Sequence, residues 1–191
     1  MKGEFSLDFL AIGDIVVDEF IRISIGHIQE TAKGTELCLP YGTKIPYDST
    51  TVCYAVGNSA NASVSVARLG LKSAIVSFVG DDVNGKECLK KLGSEKVSTQ
   101  FINSQTGKNT NYHYVLWYGA DRTIFIKHTE FDRTIPDFGK PKWIYLSSLG
   151  EDTLELHNKI GEFLEKNPET KLAFQPGTYQ LKFKKSIPLI Y

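Results

Sequence analysis

A glycine and two asparagines stand together in Val56-Gly57-Asn58-Ser59-Ala60-Asn61, where a pattern of small residues begins. The N-terminus of a helix has unpaired backbone N–H groups and a partial positive charge, so oxygen-rich ligands can bind there. Asparagine donates and accepts at once, which suits a sugar hydroxyl. A second Gly/Asp turn follows in Gly80-Asp81-Asp82-Val83-Asn84-Gly85. Upstream, the apolar run Phe9-Leu10-Ala11-Ile12 ends at Gly13-Asp14 and reads as a buried strand with functional potential at its C-terminal end. The histidines His27, His113, His128 and His157 show no H-x-x-x-H spacing. They read as surface or hairpin residues rather than metal ligands, and His113 alone is worth testing.

The elements that must position these residues alternate. Asn58 to Leu69 places Ala60, Val64 and Ala67 on one helical face, with Asn58 as N-cap and Gly70 as the stop. Ser73 to Val79 is a strand. Asp81 or Asp82 caps a helix through about Leu92, with Cys88, Leu89 and Leu92 as apolar positions. Trp143 to Leu146 and Leu172 to Phe174 read as short strands. Between them Leu156, Ile160, Phe163 and Leu164 form a core-facing helical stripe, and Pro168 lies past its end. This alternation predicts an α/β architecture.

Two segments break the rhythm. Ile21 to Ala55 has β-branched runs punctuated by glycine and proline and reads as hairpins or an irregular β insertion. Tyr112 to Tyr118, a Gly119-Ala120-Asp121 turn and Thr123 to Ile126 read as an exposed, aromatic-rich β-hairpin. Alternation puts Tyr112 and Tyr114 on one face and Trp117 on the other. These aromatics are expected to line a lid or subunit contact, since few basic residues interleave them as a nucleic-acid platform requires. Arg122, at the hairpin turn, reads equally as an anion contact or an exposed turn residue. Lys182, Lys184 and Lys185 read as a solvated face.

The chain of 191 residues has 22 basic and 22 acidic side chains. That balance argues against a dedicated nucleic-acid or membrane-surface protein. Three widely spaced cysteines without a C-x-x-C read as reduced thiols of a cytoplasmic protein. No apolar run is long enough to span a membrane.

The run from Val56 to Gly85 resembles the first signature of the ribokinase-like (PfkB) carbohydrate and nucleoside kinases, and the order of elements resembles their N-terminal half. The resemblance implies one incomplete ribokinase-like domain over 1–191, a layered sheet with helices on both faces. It also implies a small β lid from about 19–55 and 109–130. Ala11 to Asp18 is similar to the family's first strand and its G-x-x-x-x-D turn, so Asp18 takes the role of accepting substrate hydroxyls, with Asp14 as its neighbour. Gly57 and Asn61 match the family's G-G-x-x-x-N, while Val56 stands where its first glycine usually sits. Singly, Asp18 and Asn61 read as capping residues; at this spacing from Gly57 they read as ligand-binding. Asn58, Asn111, His113 and Ser148 complete the substrate-binding set that the resemblance implies. Gly80, Asp81, Asp82 and Gly85 match the later, structural part of the signature.

The resemblance also implies ATP and magnesium for a complete enzyme. The family's late G-A-G-D-type motif, with its catalytic base and anion hole, has no counterpart, since no G-x-G-D occurs here. Asn84-Gly85-Lys86-Glu87 spells the family's N-x-x-E element, but inside the first signature. Leu149-Gly150-Glu151-Asp152 has one glycine and is no substitute anion hole. The expectation is therefore the substrate-binding and lid portion of an ATP-dependent sugar or nucleoside kinase, inactive alone, with no catalytic residue, metal or cofactor of its own. The alternative is a non-catalytic sugar-binding or dimerising module, pairing through the lid. A Rossmann-type dinucleotide binder is disfavoured because no G-x-G-x-x-G follows Ile12. The apolar end at Leu189-Ile190-Tyr191 favours truncation.

Overall fold

A computed structural model describes residues 7–151 and 153–183. It divides into two compact units, one of 1–17, 54–111 and 128–191 and one of 18–53 and 112–127.

The first unit is built on a parallel sheet. Its strands are β1 (Phe9–Ile12), β6 (Ser73–Gly80), β7 (Ile102–Gln105), β10 (Trp143–Leu146) and β11 (Lys171–Phe174), where β2 to β5, β8 and β9 are the strands of the other sheets below. Their spatial order is β11-β10-β1-β6-β7. Leu10 pairs with Ile144 on one side and Ala74 on the other; Ile12 pairs with Leu146 and Val76. All of these are buried, which is why the strands read as unbroken apolar runs: a parallel sheet is covered on both faces. After β1 the chain builds outward through β6 and β7, then returns to the other side of β1 for β10 and β11. The reversal makes the gap between the C-terminal ends of β1 and β10 a topological switch point, where α/β sheets bind ligands.

Three helices of the first unit match the sequence periodicity: α1 (Asn58–Arg68), α2 (Val83–Ser94) and α3 (Leu154–Lys166). The buried face of α1 is Ser59, Ala60, Ser63 and Ala67. Val64, expected there, is only half-buried. Small hydroxyl residues take the face because they return their O–H to backbone carbonyls, and so tolerate close packing. Ser63 Oγ donates to the Ala74 carbonyl at 3.5 Å. Gly57 is the N-cap of α1, so Asn58 is the first helical residue and not the cap. Gly70 ends the helix with φ 85°, as expected. On α2 the cap is Asp82, whose carboxylate accepts from the Gly85 N–H at 2.8 Å. The stripe of α3 joins the main core through Leu156 and Ile160, with Phe163 and Leu164 packed against it.

The structure adds β7 and a short α4 (Thr178–Phe183), neither of which has the periodicity that would mark it in sequence. It also corrects His157, expected at the surface: it is wholly buried on α3. Its Nδ1–H donates to the Thr153 carbonyl at 2.6 Å, one helical turn back, which satisfies a polar atom inside the core.

The second unit carries most of a four-stranded sheet ordered β5-β2-β8-β9, from β2 (Val16–Ile23), β5 (Ser49–Val56), β8 (Asn111–Tyr118) and β9 (Asp121–Phe125). A separate hairpin pairs β3 (His27–Thr31) with β4 (Gly34–Cys38). The aromatic segment is the antiparallel β8–β9 hairpin, and β9 is exposed throughout. The rings of Tyr112 and Tyr114 lie 5.2 Å apart, on one face as strand alternation requires. Trp117 lies beneath the Arg22 guanidinium at 5.1 Å. Cys38, Cys53 and Cys88 are free thiols. Among the described residues no helix is long and apolar enough to cross a membrane.

Lys184 and Lys185 of the expected basic face, the apolar end Leu189-Ile190-Tyr191, and Asp152 of the Leu149 turn lie outside the described residues. Lys182 is exposed on α4 and Arg122 is exposed at its turn.

Candidate functional site

The sequence-derived residues fall into two groups, one in each unit. In the first unit the switch point assembles Asp14, Gly57, Asn58 and Ser148. Asp14 follows β1, Ser148 follows β10, and Gly57-Asn58 opens α1. The Asp14 N–H donates to the Ser148 carbonyl at 3.4 Å, and Asn58 Nδ2 donates to Ser148 Oγ at 3.5 Å. The Asp14 carbonyl accepts from Ser59 Oγ at 3.1 Å. A Cβ on Gly57 would stand 3.0 Å from that carbonyl, and Gly57 has φ 107°. Both facts require glycine: the backbone is in the left-handed region and the approach leaves no room for a side chain.

Val56, in the place of the family's first glycine, is spared positive φ. Ala55 takes it instead, at 55°. Such a conformation costs about 1–2 kcal/mol for a residue with a Cβ. The Ala55 N–H is held by Cys88 Sγ at 3.2 Å, and burial pushes that thiol up to about 11.

Asp14 is not a free carboxylate. It is buried, and Arg133 reaches it from the irregular segment before β10, with N–O distances of 2.7 and 3.4 Å. The Gly150 N–H donates to the same carboxylate at 2.8 Å. Sequence reading missed Arg133. Nothing periodic marks Phe131-Asp132-Arg133-Thr134-Ile135, and the residue it meets is far away in sequence. Ser147 was missed as well; it stands beside Gly13, the glycine of the G-x-x-x-x-D turn. A Cβ on Gly13 would meet the Ser147 hydroxyl and the Ser59 side chain, which would have to shift to admit it.

Asn61 is exposed on the first turn of α1, with its N–H donating to the Gly57 carbonyl at 2.9 Å. Asn111 is buried, and its Oδ1 accepts from the Thr129 N–H at 2.7 Å. Its amide therefore ties down the chain returning from the hairpin. Asp18 and His113 belong to the second unit. There Nδ1 of His113 lies 3.3 Å from Oδ1 of Asp18, on the facing strands β8 and β2.

The second Gly/Asp turn is a structural clamp. Asp82 accepts from the Thr110 hydroxyl at 2.6 Å and the Thr110 N–H at 3.1 Å, as well as from Gly85. Burial pushes its carboxyl up, but these bonds outweigh it and hold it below the usual carboxylate range. Added side chains at Gly80 and Gly85 would strike the Lys108 and Gly80 carbonyls.

Among the described residues no three His, Cys, Asp or Glu side chains converge as a metal site requires. The carboxylates nearest the switch point and the second turn, Asp14 and Asp82, already serve Arg133, Gly150, Gly85 and Thr110.

The sheet is doubly wound, with polar groups of Asp14, Asn58 and Ser148 gathered at its switch point. The profile of the pfkB family of carbohydrate kinases matches residues 22–176, and the chain belongs to that family. Ribokinase of Haemophilus influenzae is 32% identical over 82 residues, covering 41% of this chain and 27% of that protein. The bifunctional protein HldE of Koribacter versatilis is 28% identical over 96 residues, covering 50% and 18%. Among solved structures, Arabidopsis thaliana ribokinase complexed with ribose and ATP aligns with TM-score 0.68 at 14% identity, over 89% of this chain and 53% of that one. Halothermothrix orenii fructokinase aligns with TM-score 0.61 at 22% identity, over 88% and 56%. These structures share the ribokinase-like α/β fold. The chain spans about half the length of the solved structures it matches, and less than a third of the curated relatives.

Proposed function

We propose that this chain is the substrate-binding and lid portion of an ATP-dependent kinase acting on a hydroxyl of a sugar or nucleoside, and that alone it does not catalyse the transfer. The observation that carries the reading is the convergence of Gly57, Asn58 and Ser148 around the Asp14 backbone at the switch point, in a chain of a carbohydrate kinase family. These groups offer neutral donors and acceptors of the kind that hydroxyls need. Asp18 and His113, paired on facing strands within the second unit, are the polar residues of the lid in this reading. The exposed Tyr114, Ile124, Phe125 and Ile126 give it a surface for pairing with a second copy.

Transfer needs more than a sugar floor. A positioned base contributes roughly 10²–10⁴-fold, and losing one oxyanion-type donor costs roughly 10²–10³-fold. The sequence has no G-x-G-D to supply them. The expected outcome is weak binding of one or more sugars by calorimetry and no sugar-stimulated ADP release in a coupled NADH assay across pentoses, hexoses and nucleosides. ADP release by the purified chain, abolished by Asp18→Ala, would overturn the inactivity.

A further inference from the structure

We infer that Arg133 is the positioning residue of the sugar floor, acting through Asp14; the inference rests on the sugar-site reading above. Residues 128–142 have no regular secondary structure, yet polar bonds fasten them to the sheet side of the first unit. Thr129 is held by Asn111. Asp132 exchanges two backbone bonds with the Gln105 amide, at 2.6 and 3.0 Å. The third tie differs in kind, because it places a charge. The Arg133 side chain is 11% exposed and that of Asp14 7%, so each neutralises the other away from water. The guanidinium also lies 5.5 Å from the Phe78 ring centre, in the core.

The consequence reaches the floor through one residue's backbone. The Asp14 carboxylate is fixed by Arg133 and by the Gly150 N–H beyond β10. Its own N–H and carbonyl are the points on which Ser148, Ser59 and Gly57 rest. Holding the carboxylate thus sets the spacing between the β10 turn and the start of α1, the groups that would meet a sugar. Asp14 is thereby committed to Arg133 and is not a substrate ligand.

The test pairs sugar affinity with stability in the full chain. Calorimetry with the tightest-binding sugar of the panel is run on wild type, Arg133→Gln, Asp14→Asn and the double variant, beside urea unfolding of each. Each single variant leaves one buried charge without its partner and is expected to lower stability, whereas the double removes both charges and restores it. Affinity is expected to fall about tenfold or more in Arg133→Gln, as for a misplaced binding group, and to stay low in the double. That split supports positioning, because a merely structural role would return affinity together with stability. Such a joint return overturns the inference, as does affinity within about twofold of wild type in folded Arg133→Gln. Should Arg133→Gln not fold, Arg133→Lys decides. Weakened binding at unchanged stability supports the inference, and unchanged binding overturns it. Loss of binding in Asp18→Ala with Arg133 variants unaffected leaves the site reading standing and removes this one. A wild-type chain that binds nothing in the panel removes both.

Discussion

His157 shows how one residue's surroundings set its chemistry. Burial disfavours its cation, the Thr153 carbonyl partly favours it, and the charge of Arg133 opposes it again; the net effect is below the ordinary 6.5. As pH falls through 6.5, the unfolded chain takes up a proton that the folded chain still refuses. Stability is therefore full above that value and declines below it, until the folded imidazole also protonates. Urea midpoints should fall between about pH 7.5 and about pH 5.5, and less steeply in His157→Leu. An unchanged slope in the variant would assign the acid sensitivity to another group. Glu95 acts lower on the scale. Hydrogen bonds from Arg68 and Lys91 hold its carboxyl at about 2, so its contribution is full above the ordinary 4.5 and is lost progressively as pH falls from there towards 2.

At the scale of elements, the start of α2 is the best-defined device. Asp82 caps the helix and at the same time binds Thr110, just ahead of β8. The Thr110 hydroxyl also accepts from the Gly80 N–H at 3.1 Å, closing a small network around the end of β6. Loss of an N-cap alone costs about 0.5–2 kcal/mol. Asp82→Ala should cost at least the upper part of that range, because Thr110 loses its acceptor too. Denaturant unfolding checks this, and a loss under about 0.5 kcal/mol would show the network to be dispensable. The helices were legible because burial on one face imposes a period, and the buried strands because burial on both faces leaves an unbroken apolar run. β7 was not, since Ile102-Asn103-Ser104-Gln105 has no apolar repeat and becomes a strand by pairing with β6.

For the whole molecule, protection from solvent should be graded. β1 and β6 are buried almost throughout and lie inside the parallel sheet. β9 is an exposed edge, and β3 and β4 form an isolated exposed hairpin. Amide exchange should be slowest by orders of magnitude in β1 and β6, and fastest in β9 and the β3–β4 hairpin, because local opening is cheapest where little apolar area is buried. Equal protection in β9 and β6 would indicate that the edge is covered in solution.

The sequence by itself determined the α/β class, the strands at Phe9, Ser73 and Trp143, the helices α1 to α3, and the aromatic hairpin. Each of these is local, since an apolar run, a 3.6-residue period or a cap is written in neighbouring residues. It also matched Gly57 and Asn61 to the family's G-G-x-x-x-N; that Gly57 has positive φ and lies against the Asp14 carbonyl is a finding of the structure. Only the tertiary structure decided that the small face of α1 is Ser59, Ala60, Ser63 and Ala67, and that His157 is internal. Only it showed that Asp14 belongs to Arg133 and Asn111 to Thr129. Those outcomes depend on which distant groups a buried polar atom can reach. Burying a charge or an amide is costly without a partner, and topology, not sequence spacing, supplies the partner.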